Sequence, residues 1–363
     1  RLQEAVRAAE ASADILDRDR ITLGLLALAG HERDAILLKM REQTISARMA
    51  EQVLSEADRL IEGTRTAGRN GYQRAARRSV AYGRTFRAAG LLHGRLGLPG
   101  PLARMTADRF ELLLSQHLIL RDLGVFIEGR IRRIHGRRVA DLLHELLTRR
   151  IEMVETALEG LRLQYPGYAE ELERRFIRRT ALRLEEREYT VMREDGLIGA
   201  EVYTALMQEL NLRRAQAEAR PPLDIAVQRT ALVRQFPLFS DLDEATLKRL
   251  AGALKTRYVD AGEVVMRRDT AAPSVFFIAS GAVKLETAGQ SWRLGPGEMF
   301  GQMAILTRRP RRAEAHAIAP TTLMVLDEDR FRRLLDRSDL LRNAVKASAE
   351  KRGIEPSELL GGA

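Results

Sequence analysis

The chain has no cysteine, which excludes disulfides and thiolate metal sites and fits a reducing compartment. Lysine is nearly missing as well: only Lys39, Lys248, Lys255, Lys284, Lys346 and Lys351 occur, so arginine carries the formal charge of +10. Acidic residues are interleaved with those arginines almost everywhere. A nucleic-acid surface needs a concentrated basic stripe, so nucleic acid is not an expected partner. Long apolar runs are absent: the helical run "ITLGLLALAG" (21–30) is about half of the ~20 residues that a membrane span requires. Proline, the strongest helix breaker, does not occur before Pro99. There is no initiator methionine and no signal-peptide pattern, which leads us to expect a processed protein or a piece of a longer one. No nucleophile–base arrangement, Walker loop or zinc motif is present. His31, His93, His117, His135, His144 and His316 show no metal-ligand spacing. Neither an enzyme nor a metal protein is expected.

At 363 residues and 45% hydrophobic content the chain can form two or three domains with sizeable cores. Up to about Arg220 apolar residues recur at three- and four-residue steps, as in Met49, Val53, Ala57, Leu60 and in Leu143, Leu147, Ile151, Val154, Leu158, Leu161. Such stripes predict amphipathic helices packed on one another. Breaks are expected at "GLPGP" (97–101), "YPG" (165–167), "DG" (195–196) and "RPP" (220–222), leaving one very long or kinked helix at the start. The densest basic cluster, "RIRRIHGRR" (130–138), reads either as a solvated helix face or as a surface for anionic lipid.

After Pro222 the texture changes. A short helical stretch, "DEATLKRLAGAL" (243–254), precedes the strand candidates "RYV", "EVVM", "SVFFI", "AVKLE", "SWRL" and "TLMVL", separated by "DAG", "ASG", "AGQ" and "GPG". This spacing predicts a small antiparallel barrel or jelly roll. Helix returns with "DEDRFRRLL" (327–335) and "DLLRNAVKASAEKR" (339–352). The expected class is therefore α+β: an all-α region over 1–230, a β-roll with flanking helices over 231–352, and a frayed tail over 353–363.

One stretch of the roll carries the chemistry: "MFGQMAILTRRPRRAEAHAI" (299–318). Gly301 would let backbone approach a ligand closely, and amides of "QMAIL" opening a short helical turn would point at an anion. Arg311 could add a charge-assisted, bidentate contact to the same phosphate.

Residues 236 to 352 resemble a cyclic nucleotide-binding domain, the β-roll shared by the catabolite activator protein, the regulatory subunits of cAMP-dependent kinase and cyclic-nucleotide-gated channels. The ordered pieces are "FPLFSDLDEATLKRLA", "GEVVMRRDTAAPSVFFIASGAVKL", "LGPGEMFGQMAIL", "PRRA" and "FRRLL". The resemblance implies a phosphate-binding cassette at Phe300, Gly301, Gln302, Met303, Ala304, Ile305 and Leu306, with Arg311 as the phosphate arginine and Ala313 following it. It implies turn glycines at Gly262, Gly281, Gly295 and Gly297, and cAMP or cGMP as the regulatory ligand. Two positions depart from the family's pattern. Gln302 stands where a glutamate takes the ribose hydroxyl, and Arg312 stands where Ser, Thr or Ala is usual. Two readings follow: a nucleotide sensor, or a degenerate roll kept for docking. In the first, Phe331, Leu334, Leu335, Leu340, Leu341 and Val345 could cap the base; in the second they only pack.

The helical region, above all "HERDAILLKMREQTISARMAEQVLSEADRL" and "EREYTVMREDGLIGAEVYTALMQEL", is similar to the cytosolic region of cation:proton antiporters with appended cyclic nucleotide-binding domains. That resemblance implies a regulatory region on the cytoplasmic side of the plasma or inner membrane, preceded by a membrane transport domain and forming a homodimer. The rival expectations are a soluble cyclic-nucleotide-sensing scaffold that docks a partner protein, and the cytosolic tail of a channel.

Overall fold

The computed structural model describes the backbone of residues 2–96, 99–218, 223–239, 242–271, 274–307, 309–337, 339, 342, 343 and 345. Side chains are described at the same positions apart from 2–17, 94–96, 99, 225, 226, 238 and 337. The breaks expected at 97–98 and 220–222, the capping candidates Leu340 and Leu341, and the tail over 353–363 lie outside the described residues.

The first half is helical, as the three- and four-residue periodicity requires: α1 (Leu2–Arg41), α2 (Ala47–Ser79), α3 (Arg84–Leu96), α4 (Pro99–Phe126), α5 (Arg132–His135), α6 (Arg137–Gln164), α7 (Pro166–Glu194), α8 (Ala200–Glu218) and α9 (Ile225–Gln235). A π-helical turn over Ile127–Ile131 joins α4 to α5. The start is thus one long helix and one bent one. In α2, Ala67 and Gly68 leave helical geometry, Gly68 with φ +53°, and the helix turns back so closely that a Cβ on Gly71 would sit 1.7 Å from the Gly63 carbonyl oxygen. Glycine makes that approach possible. Ser46 caps α2 by accepting from the Met49 amide at 3.4 Å. Gly136, at φ +86°, ends α5.

The chain forms two compact units. One comprises 1–80, 108–155 and 171–221; the other comprises 81–107, 156–170 and 222–363. A single cut near residue 230, as read from the sequence, misses that two helical segments group with the roll. In the first unit Ile36, Ala50, Val53, Ala57 and Ile119 form a buried apolar cluster. A buried ion pair lies in the same unit: Arg150 donates twice to Glu32, at 2.8 and 2.9 Å, and once to the Tyr72 hydroxyl at 2.9 Å. Arg132 of the basic cluster pairs with Glu128 at 3.1 Å and Asp141 at 3.2 Å on an exposed face, in keeping with a solvated surface.

In the second unit α10 (Glu244–Ala253), N-capped by Asp243, leads into eight strands: β1 (Lys255–Val259), β2 (Val264–Met266), β3 (Ser274–Ser280), β4 (Val283–Glu286), β5 (Ser291–Leu294), β6 (Met299–Phe300), β7 (Glu314–Ala317) and β8 (Thr321–Asp327). They form two four-stranded antiparallel sheets in the orders β1-β8-β3-β6 and β2-β7-β4-β5. All six strand candidates are strands; β6 and β7 are the short additions that flank the arginine-rich stretch. Phe276, Phe300, Val259, Val283 and Leu323 fill the interior of the roll. A second cluster joins Phe236, Phe239 and Phe277 to Leu247 and Leu250 of α10 and to Phe331 and Leu335 of α12 (Glu328–Arg337). Phe331, Leu335 and Val345 are buried in that cluster, and Leu334 packs against it, so packing is what the structure shows for them.

Tyr82 and Arg87, on the segment preceding and opening α3, are fixed to the roll. The Tyr82 amide donates to Asp260 at 2.6 Å and its hydroxyl meets that of Thr322 at 2.9 Å, while Arg87 bonds both Asp260 and Glu263. At the α6–α7 junction the Tyr165 hydroxyl lies 3.1 Å from that of Tyr258, and Gln164 donates to both.

Candidate functional site

The site is assembled where β6 leaves the roll. Phe300 is fully buried and pairs with Phe276 of β3; the two rings stack at 5.0 Å and 15°. Gly301 follows at φ +85°, a left-handed conformation that side chains disfavour. It turns the chain into the short helix α11 (Gln302–Thr307). Gln302 opens that helix and is fully buried; Met303 and Ala304 are half-buried, and Ile305 is buried beneath them.

Arg311 returns to the same place from the other side. Its backbone is fixed by reciprocal bonds, Asp269 N–H to Arg311 O at 2.8 Å and Arg311 N–H to Thr270 O at 3.1 Å. Its guanidinium lies over the Phe276 ring, 5.3 Å from the centroid. Nε donates to Ala271 O at 3.3 Å and Nη2 to Ser274 O at 3.0 Å. Nη1 is buried and has no hydrogen-bond partner, and among the described residues no carboxylate pairs with this arginine. Burial alone pushes the guanidinium below its ordinary value.

A buried cation held by carbonyls, with one nitrogen unused, is costly unless an anion completes it. Gly301 packs directly against this group: a Cβ there would lie 3.4 Å from Arg311 Nη1 and 3.3 Å from Ser274 O. With no side chain at Gly301, the backbone of the cassette comes up against the unused nitrogen. The arrangement can hold one compact oxyanion by a charge-assisted bond.

The structure therefore brings together Phe300, Gly301, Gln302 and Arg311, with Met303 and Ala304 on the adjoining turn. Ala313 packs half-buried against the interior of the roll. Arg312 is not in the buried cradle: its side chain is exposed while that of Arg311 is 4% exposed. Successive residues of an extended segment face opposite ways, which puts the two arginines on opposite sides. Sequence reasoning missed Phe276, which backs the guanidinium, and the carbonyls of Ala271 and Ser274; backbone acceptors leave no residue signature. It also missed Arg332 of α12, which donates to the Ile305 carbonyl at the end of α11 at 2.8 Å while pairing with Glu328 at 2.8 Å.

Residues 256–338 match the family model of the cyclic nucleotide-binding domain. A cyclic nucleotide-gated potassium channel of Rhizobium etli is 34% identical over 133 residues, covering 36% of this chain and 38% of the channel. One from Mesorhizobium japonicum is 33% identical over 132 residues, covering 36% of this chain and 37% of the channel. Among solved structures, the catabolite activator protein of Thermus thermophilus covers 32% of this chain and 57% of its own at 28% identity, with a TM-score of 0.29. The chain spans less than two-fifths of the length of the channel relatives it matches first. These relatives are potassium channels, not sodium/proton antiporters, so they lend the antiporter expectation no support. The C-terminal part of the chain is a cyclic nucleotide-binding domain preceded by a mostly helical region.

Proposed function

We propose that the chain is the regulatory region of an ion-transport protein, in which the roll takes cAMP or cGMP and the helical region passes occupancy on. The observation that carries this reading is the buried Arg311 guanidinium with Nη1 unpartnered beside Gly301. The cyclic phosphate would sit against Arg311, and Gln302, a neutral amide, would face the ribose in place of a carboxylate. The finer reading is the cytosolic region of a sodium/proton antiporter working as a homodimer at the membrane; the texture of the helical half supports it. Among the described residues no helix is long and apolar enough to cross a membrane, so the transport step would belong to another part of the protein.

A ligand that prefers one placement of α12 would shift the population of that placement. Arg332, bonded to the last turn of α11, is the route by which the cassette would act on α12.

Calorimetry with cAMP and then cGMP tests the binding. Saturable heat is expected in the wild-type chain, with an affinity loss of about tenfold to about 150-fold in Arg311→Ala, the cost of a charge-assisted contact of about 1.5–3 kcal/mol. Silence with both nucleotides in a folded sample would leave the docking-scaffold reading. The finer step is read on the full-length protein in inverted vesicles. Sodium-driven collapse of a proton gradient that responds to the nucleotide supports an antiporter, whereas a potassium conductance supports a channel.

A further inference from the structure

The second unit contains another cavity, away from the cassette: a cleft of about 540 Å³ bordered by α3, the Gln164–Tyr165 junction, α9, the end of α10, β1 and the start of α12. Leu91, Leu102, Leu232, Leu254 and Met324 supply its apolar walls. The charged groups lining it are all of one sign: Arg229, Lys255 and Arg330, with His93 beside them and no carboxylate among the lining residues.

Lys255 is neutralised by Asp327 at 3.0 Å. Arg229 and Arg330 are not paired with any acid among the described residues. Each donates to a carbonyl at the end of α10, Arg229 to Ala251 at 3.5 Å and Arg330 to Ala253 at 3.1 Å. Cations at a helix C-terminus are favourable, and that accounts for one nitrogen of each guanidinium. The remaining donors of both, on either side of the α10 end, have no described acceptor. The floor is polar and uncharged: burial raises the Tyr258 hydroxyl to about 12, so it stays protonated beside Tyr165 and Gln164. The volume falls in the range of small-molecule sites, and apolar walls with a few convergent polar groups are their usual lining.

We propose that this cleft binds a small soluble anionic amphiphile, a phosphate monoester on an apolar body, with its head between Arg229 and Arg330 and its body against Leu232, Leu254 and Met324. The charge complementarity is one-sided, and the enclosed volume suits a single small molecule rather than a peptide or a membrane face. The inference does not depend on nucleotide binding at Arg311.

The test uses the full chain with hexyl phosphate as the probe, followed by calorimetry, with inorganic phosphate and phosphatidic acid vesicles as comparisons. One saturable site for hexyl phosphate is expected, weakened at least about tenfold by Arg229→Gln and by Arg330→Gln and unchanged by Arg311→Ala. Because an arginine variant could disturb the α10 end, Leu91→Glu is the second probe. Leu91 is 68% exposed, so a carboxylate there meets the anion at the mouth of the cleft without entering the core. It should weaken binding by a similar factor at unchanged melting temperature. Absence of saturable binding, or binding indifferent to all three cleft substitutions, overturns the proposal. So does equal affinity for inorganic phosphate, which would show that the apolar walls take no part, and so does binding to the vesicles alone.

Discussion

At the scale of single residues, the site rests on one guanidinium held by the carbonyls of Ala271 and Ser274 and abutting Gly301. Arg311 and Gly301 can be picked out of one stretch of sequence because a cation and a glycine each have a letter; the carbonyls of Ala271 and Ser274 that hold the guanidinium have no letter of their own. Gly301→Ala tests how much the cradle depends on the missing side chain. The new Cβ would sit 3.4 Å from Arg311 Nη1 on a backbone at φ +85°, so strain of about 1 kcal/mol or more and displacement of the guanidinium are expected. Nucleotide affinity should fall at least about tenfold while circular dichroism stays unchanged; full affinity would remove Gly301 from the site. No motif announced Glu56 of α2, whose carboxyl burial raises from 4.5 to about 7 although Arg59 and Arg150 oppose the shift. Below about pH 4.5 it is protonated folded or unfolded and imposes no penalty. Between about pH 4.5 and 7 the unfolded chain releases the proton and the folded chain retains it, so stability falls as pH rises, by an amount on the order of a few kcal/mol. Above about pH 7 this contribution levels off. Gln116 donates to Glu56 and keeps a buried carbonyl oxygen unused. Urea denaturation from pH 5 to 8 should show this slope in the wild type and its loss in Glu56→Gln; parallel profiles would mean that Glu56 titrates normally.

At the scale of elements, hydrophobic periodicity identified the helices and the strands of the roll, because a period of about 3.6 or 2 needs only the pattern of one segment. It did not find the fold in α2, where Gly68 turns the chain and Gly63 meets Gly71 backbone to backbone. Three glycines within nine residues of a helical pattern, Gly63, Gly68 and Gly71, say nothing by themselves about which one reverses the chain. The strands β6 and β7 escaped for another reason: they are short, and tertiary pairing with β3, β2 and β4 makes them strands rather than their own composition. Coupling belongs to this scale too. Arg332 joins α12 to the last turn of α11 by one bond of 2.8 Å to the Ile305 carbonyl and makes no bond to Arg311 or Gly301 among the described residues. Arg332→Ala should therefore leave nucleotide affinity within about fivefold, since a neutral acceptor lost at a helix end costs about 1 kcal/mol or less. The change in amide-exchange protection of α12 on adding cAMP should disappear. Protection that still responds fully would show that α12 senses the ligand through its apolar packing around Phe331 instead.

At the scale of the whole molecule, the change from helical periodicity to short strand-and-turn segments after Pro222 was enough to divide the chain into a helical part and a roll, but not to find which helical segments group with the roll. Residues 81–107 and 156–170 lie in the helical half of the sequence yet group with the β-roll. Tyr82, Phe86 and Tyr258 form an aromatic cluster with centroids 5.0 to 5.3 Å apart, and Tyr82, Tyr165 and Gln164 satisfy the hydroxyls of Thr322 and Tyr258. Residues separated by 93 to 240 positions cannot be paired by local pattern, because contacts of that span depend on how the intervening helices return. The consequence is a prediction about excision. A fragment over 231–352, the domain that sequence resemblance delimits, would expose the Tyr258 ring and leave the Tyr258 and Thr322 hydroxyls to water. It would also leave Asp260 and Glu263 without Arg87. Burial of one aromatic side chain contributes about 1.5–3 kcal/mol, and several such contacts vanish together. The isolated roll is therefore expected to melt at least several degrees below the full chain. It should also bind less nucleotide per mole, because part of the sample is unfolded. Arg87→Ala in the full chain should reproduce a fraction of that loss. If the fragment melts with the full chain and binds equally well, segments 81–107 and 156–170 rest on the roll without supporting it.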